Sequence, residues 1–344
     1  MYNIQLTKQE ISSILDKNND FKTVMLQFPD GLLDKFSTEI IFFLKKRNPR
    51  IKVIVSGDPS YGACDLPINQ ALYFGLQVDA IFHFGHSTFA FPKPDLNIAI
   101  FYFTVDASIA IDWSLIKEEL TMYKWKKIGI LSTIQHTKIL KDAKIHLGSG
   151  GYGITIYKEG QILGCNQDRA KKIAKDVDGF LVISGGNFHA SPIVVATGKE
   201  TLRYDPFNKN FQLFDLNYRN LYLKKRYASI LKARSAKIWG VLLSLKSGQF
   251  PSDAGTKMVN MIENAGKTAV LIPMYRIDPN HLINFNDIDA WVINLCPRIA
   301  TDDFVSFNKP ILTARELMVT LGLLDWEVFT NFNVKDQLLI LETE

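Results

Sequence analysis

Short apolar runs rich in Val, Ile, Leu and Phe recur along the chain, each bounded by Gly, Pro, Asp or Asn, and stretches of helical period separate them. Such runs predict strands buried on both faces, and the 3.6-residue period between them predicts helices packed over those strands. The layout occurs three times. The first pass predicts strands at 23–28, 52–56 and 79–84, with a helix at 34–46. The second predicts strands at 127–132, 154–157 and 179–183 and a helix near 168–176. The third predicts strands at 238–243, 268–272 and 290–294 and a helix at 253–264.

Alternation of this kind specifies an α/β fold: three similar α/β units with mainly parallel sheets. At 344 residues the chain exceeds the usual span of one hydrophobic core. The expected domains are 1–106, 107–215 and 216–344, the last beginning with a linker helix. Loops at the carboxyl ends of parallel strands share one sheet edge, so three units set around a centre could each aim a loop at a central cluster site.

Residues 216–237 place Arg219, Lys224, Lys225, Arg226, Lys232 and Arg234 among apolar Leu221, Tyr222, Leu223, Ile230 and Leu231. That reads as an amphipathic linker helix whose basic face is solvated. Residues 325–341 mix aromatic and aliphatic side chains with charges, which predicts packing rather than a tail. Forty basic and thirty-five acidic residues leave a net charge of +5, too mild to imply a nucleic-acid partner. The polar N-terminus lacks the apolar core of a signal peptide, and no run reaches membrane-spanning length. A cytoplasmic protein with no membrane role is expected.

Three cysteines occur, one per unit, each in a turn near a strand end: Cys64 in GDPSYGACDLP, Cys165 in EGQILGCNQD and Cys296 in WVINLCPRIATDD. A cysteine often serves as a small core hydrophobe, which is the plain alternative here. Yet these flank Gly, Pro and polar residues rather than apolar runs, and an odd count does not close a disulfide framework. Three convergent thiolates could hold three corners of a four-iron cluster and leave the fourth iron without a protein ligand. The positions are not equivalent: Cys64 and Cys165 follow the second strand of their units and Cys296 the third. An exact threefold repeat is therefore not expected.

At these turns the chain resembles archaeal diphthamide synthases, the 3-amino-3-carboxypropyl transferases acting on translation elongation factor 2. The segments that carry the resemblance are GDPSYGACDLP, GQILGCN and CPRIATDD, joined by VDAIFHFGHS, ATGKETLRYDPF, KSGQ and KPILTARE, in order over roughly residues 20–322. The resemblance implies that Cys64, Cys165 and Cys296 bind a [4Fe-4S] cluster. It also implies S-adenosyl-L-methionine as cosubstrate, a noncanonical radical cleavage of its S–Cγ bond, and transfer of the 3-amino-3-carboxypropyl group to C2 of a histidine imidazole. That would be the first step of diphthamide biosynthesis. A homodimer and an external one-electron reductant are further implications. The CxxxCxxC run of ordinary radical S-adenosylmethionine enzymes is absent from the chain.

Candidate cosubstrate-binding residues are Arg298, whose guanidinium suits a carboxylate, and Gln249 in the KSGQ turn. The plainer readings are an ion pair of Arg298 with Asp302 or Asp303, a self-bonded turn for Gln249, and Asp302 or Asp303 capping the following helix. His86 and His189 are expected to be satisfied within their own loops, and His83 to lie in the core or on the sheet. No P-loop, GxGxxG or GxSxG sequence appears. Two other functions stand beside the transferase: a noncatalytic cluster-bearing electron-transfer partner, and a quinolinate-synthase-like iron–sulfur enzyme, whose motif surroundings do not match.

Overall fold

Strand β1 (Thr23–Gln27) is buried at every position, as an unbroken apolar run requires of an inner parallel strand. It lies between β2 (Lys52–Val55) and β3 (Ala80–Phe84), and β4 (Ala99–Phe103) pairs with β3, so the sheet runs β2-β1-β3-β4, all parallel. Helices α1 (Ile4–Lys17), α2 (Lys35–Arg47) and α3 (Ile68–Tyr73) complete this layer structure. The core includes stacked Phe28, Phe84 and Phe103, with successive ring centroids 4.5 and 4.8 Å apart.

The computed structural model describes residues 2–58, 60–73, 77–88, 97–107, 109–157, 160–249 and 253–330. It divides into two compact units. One is Met1–Ile109 with Lys246–Gln249; the other is Ala110–Leu245 with Phe250–Glu344.

The second unit holds two sheets. The first joins β5 (Lys127–Ser132), β6 (Gly153–Thr155), β7 (Gly179–Ile183), β8 (Thr201–Asp205) and β9 (Asn210–Phe214) in the order β6-β5-β7-β8-β9, with only β9 antiparallel. The other joins β10 (Ile238–Ser244), β11 (Thr268–Met274), β12 (Ala290–Ile293) and β13 (Ile311–Thr313) in the order β11-β10-β12-β13, all parallel. Their helices are α4 (Trp113–Leu120), α5 (Leu140–Gly148), α6 (Asp168–Ile173), α7 (Ser191–Thr197), α8 (Leu216–Ala233), α9 (Ala254–Asn264), α10 (Pro279–Leu282), α11 (Arg298–Thr301), α12 (Ala314–Thr320) and α13 (Trp326–Phe329).

The strand order second-first-third-fourth is thus common to all three sheets. A side-chain device repeats with it. An aspartate just before each third strand accepts two backbone N–H groups at the start of the first strand: Asp79 from Lys22 and Thr23 (2.7 Å each), Asp178 from Lys126 and Lys127 (2.8 Å each), Asp289 from Lys237 (2.8 Å) and Ile238 (2.9 Å). The two bonds hold the carboxyls of Asp178 and Asp289 below their usual range. In the second unit a glycine of the first strand lies under an aromatic ring of the third. A Cβ on Gly129 would come within 2.7 Å of Phe180, and one on Gly240 within 2.1 Å of Trp291.

The architecture departs from the sequence reading in three respects. The cysteines obey no exact repeat, but the strand order does. A fourth strand extends each sheet beyond the third, with β9 added as a fifth in the middle one; the fourth strand is unforeseen because β4 shows no alternation and β8 contains Arg203 and Asp205, which lie 3.5 Å apart and are both buried. Helix α8 is not solvated along its whole basic face. Arg226 is fully buried, with its guanidinium paired to both oxygens of Glu316 (2.7 and 2.6 Å) and also donating to the carbonyls of Ala300 and Ile311. Glu316 closes a capping box with Thr313 at the start of α12, so one ion pair ties α8, α11, β13 and α12 together. The predicted packing of 325–341 holds for α13, where Phe329 is buried and Trp326 stacks on it at 4.9 Å; residues 331–341 lie outside the described residues.

Candidate metal centre

In the first unit the turn Lys246–Gln249 grips the Cys64 loop residue by residue. The N–H of Gly248 donates to the carbonyl of Cys64 at 2.9 Å, and the side-chain amide of Gln249 donates to Cys64 Sγ at 3.3 Å. Ser247 Oγ accepts from the N–H of Leu66 at 3.1 Å and reaches its carbonyl at 3.3 Å, while Lys246 is ion-paired to Asp65 and lies 4.8 Å from the ring centre of Tyr61. Glycine is obligatory at 248, since a Cβ there would stand 2.6 Å from Cys64 Cα. Burial pushes the Cys64 thiol up; the Gln249 amide opposes that shift, and Asp65 adds to it.

Cys165 occupies a tight turn after β6, closed by the Asn166 N–H on the Leu163 carbonyl at 3.0 Å and braced by Gln167 Nε2 on the Gly164 carbonyl at 2.7 Å. Gly164 packs so closely on Phe188 that a Cβ would fall 2.3 Å from the ring. The same ring also meets the third cysteine's loop. Arg298, two residues beyond Cys296, holds its guanidinium 5.7 Å from the Phe188 ring centre. Phe188 therefore touches the Cys165 turn and the segment following Cys296, both within the second unit.

Cys296 follows β12 and precedes α11, its carbonyl accepting from the Ile299 N–H at 3.3 Å. Two residues before it, Asn294 is 1% exposed, and neither amide atom has a hydrogen-bond partner among the described residues. A buried amide so placed calls for a polar group in its surroundings.

All three cysteines are half-buried and outside any disulfide. Half-buried thiols at loop positions, an amide aimed at one sulfur and an unmatched buried amide two residues before another cysteine fit thiolate ligation of a soft iron centre, because a cation offsets the cost of keeping thiolates out of water. Within neither unit do three His, Cys, Asp or Glu side chains gather as a metal cage among the described residues.

The remaining sequence candidates are placed as follows. Arg298 Nε stands 3.7 Å from Asp303 in a half-exposed pair, and burial raises the Asp302 carboxyl to about 6 although the Arg298 charge lowers it. Neither aspartate caps a following helix with its side chain: Asp302 ends α11, and Asp303 precedes a single 3₁₀ turn without such a bond. His86 is not satisfied within its own loop alone; its Nδ1 lies 2.9 Å from Nε2 of His83, which is buried in β3. His189 ends a 3₁₀ turn, with its ring edge-on to Phe188. Gln27, Phe188 and the role of Lys246, Ser247 and Gly248 went unforeseen, since each acts on residues distant in sequence. Among the described residues no helix is long and apolar enough to cross a membrane.

Known proteins resemble this chain in sequence and in overall fold. The family described as "Putative diphthamide synthesis protein" matches residues 28–330. The chain is 34% identical to the 2-(3-amino-3-carboxypropyl)histidine synthase of Pyrococcus horikoshii, over 93% of this chain and 91% of that one, and 30% identical to the protein of the same name from Methanocaldococcus jannaschii, over 93% and 90%. The crystal structure of Dph2 from Pyrococcus horikoshii with a 4Fe-4S cluster superposes with a TM-score of 0.79 at 33% identity, covering 92% of this chain and 91% of that one. With matching sequence over nearly its whole length and a matching overall fold, the chain belongs to the diphthamide synthesis protein family.

Proposed function

We propose that this chain is a 2-(3-amino-3-carboxypropyl)histidine synthase, a transferase that catalyses the first step of diphthamide biosynthesis on translation elongation factor 2. The relatives' activity, shared at 34% identity across 93% of the chain, supports the reading. The observation in the structure that carries it is the Gln249 amide donating to Cys64 Sγ from a turn whose four residues all hold the Cys64 loop.

Cys64, Cys165 and Cys296 are the ligands of a [4Fe-4S] cluster, leaving one iron without a protein ligand. When bound, the cluster supplies the electron that breaks the S–Cγ bond of S-adenosyl-L-methionine, giving a 3-amino-3-carboxypropyl radical and methylthioadenosine. The chain's own residues orient and tune. The Gln249 Nε2–H bond stabilises charge on the Cys64 sulfur, and its Oε1 is an acceptor for the cosubstrate's ammonium. Arg298, held only loosely by Asp303 at 3.7 Å, offers its guanidinium to the cosubstrate carboxylate. Choice among the three S–C bonds of the sulfonium rests on such positioning. The enzyme acts as a cytoplasmic homodimer with an external one-electron reductant.

The test is anaerobic incubation of reduced, iron-loaded protein with S-adenosyl-L-methionine and elongation factor 2. Methylthioadenosine together with a histidine carrying the added group is the expected result. Deoxyadenosine, or a loaded protein without turnover, overturns the reading.

A further inference from the structure

The first unit contains a buried hydrogen-bond chain whose direction can be worked out atom by atom. Gln27, at the end of β1 and 3% exposed, approaches the Asp65 carbonyl at 2.6 Å with one side of its amide and His83 Nδ1 at 2.7 Å with the other. A carbonyl only accepts, so the Gln27 nitrogen faces Asp65 and its oxygen faces His83. His83 Nδ1 must then carry the proton. Burial holds His83 neutral, its pKa pushed down to about 3, so Nε2 has a lone pair and the His86 Nδ1 at 2.9 Å must be the donor. His86 is neutral as well, lowered to about 4 by burial although the Phe84 carbonyl counters this. A neutral imidazole has one N–H. Nε2 of His86 is therefore left as an acceptor.

Two contacts tie this pair to the Cys64 loop. Asp65 directly follows Cys64, and the Tyr102 ring, whose centre is 5.4 Å from that of His83, lies near enough to Cys64 for a thiolate there to raise its phenol pKa after burial has done so. Two neutral imidazoles in series, one buried and one half-buried, are more than a core needs, since an apolar pair would fill the space without polar atoms to satisfy. What the series delivers is one half-buried acceptor of fixed tautomer just past the carboxyl end of β3, in the sheet that carries the Cys64 loop.

We propose that Gln27 and His83 are positioning residues that lock His86 as its Nδ1–H tautomer, and that His86 Nε2 accepts a hydrogen bond from the imidazole N–H of the histidine to be modified. The inference rests on the transferase reading above. A neutral target imidazole offers one N–H, adjacent to C2. Holding that N–H fixes the ring plane and the edge on which C2 lies. Free imidazoles favour the opposite tautomer only weakly, so a relay of this kind suffices to impose it.

The first measurement needs no metal. In the metal-free chain with ¹⁵N-histidine, long-range ¹H–¹⁵N spectra at pH 7 are expected to show both His83 and His86 as Nδ1–H, and Gln27→Leu is expected to release His83 into a mixture. An Nε2–H signal for His86 in the wild-type protein overturns the proposal. The second measures binding of unmodified elongation factor 2 to the iron-loaded chain. His86→Phe is expected to weaken it about tenfold, as loss of one hydrogen bond does, with iron content unchanged, and His86→Gln, which keeps a donor and an acceptor, to recover most of the loss. Wild-type affinity in His86→Phe overturns the proposal and leaves the transferase reading intact. Weakened binding of S-adenosyl-L-methionine with elongation factor 2 unaffected also overturns it, since the donor would then be the cosubstrate. No binding or modification by the wild-type chain overturns both.

Discussion

Gln249 Nε2 donates to Cys64 Sγ at 3.3 Å across 185 positions of sequence. The bond runs to the sulfur that the half-buried Cys64 would present as thiolate to iron, and it counters the upward shift that burial imposes on that thiol. Amide donors to ligand sulfurs strengthen metal binding and raise the reduction potential of iron–sulfur centres.

Replacing Gln249 with Leu is accordingly expected to weaken iron binding by roughly 10- to 100-fold and to lower the potential of the reconstituted centre. Iron titration with a competing chelator checks the first and a redox titration the second. Unchanged values for both would show that the contact is packing alone.

At Gly248 the backbone has no room for a side chain, with a Cβ falling 2.6 Å from Cys64 Cα and 2.9 Å from its carbonyl oxygen. Both are backbone atoms and cannot swing aside. Gly248→Ala is expected to cost about 1–3 kcal/mol in urea denaturation and to raise hydrogen exchange in the 60–66 segment. Gly31→Ala, where a Cβ meets nothing within 4 Å, is the control for a general glycine effect.

Arg226 and Glu316 form a fully buried pair. Removing one partner strands the other charge, so Arg226→Met is expected to destabilise the fold by about 3–5 kcal/mol. Arg226→Met combined with Glu316→Met should recover much of that loss, because no charge then remains buried. Equal stability of the single and double variants would contradict the account.

Asp178 and Asp289 carry depressed pKa values because each accepts two backbone N–H groups. A carboxyl whose folded pKa lies below its unfolded value stabilises the fold above the unfolded pKa near 4, and that contribution disappears as pH falls through the folded value. Asp289→Ala is expected to cost about 1 kcal/mol at pH 7, a figure kept small because the carboxyl is solvent-exposed. The gap from wild type should narrow below about pH 4. Urea midpoints at pH 7 and pH 3 measure this directly.

Much of this protein is written in local pattern. Unbroken apolar runs specified β1, β5, β7, β10 and β12 because a parallel strand buried on both faces leaves polar side chains no solvent, and glycine- and proline-marked turns located the three cysteine loops at strand ends. Tertiary structure decided what depends on partners distant in the chain. Whether KSGQ was an ordinary turn or a clamp on Cys64 depended on a loop 181 to 185 residues away, Arg226 read as solvated because its carboxylate partner lies 90 residues later, and the direction of the Gln27, His83 and His86 chain required a carbonyl from yet another strand connection. Periodicity records which face of an element avoids water; it has no term for which polar atom will meet which, and that pairing is settled only when segments distant in the chain come into contact.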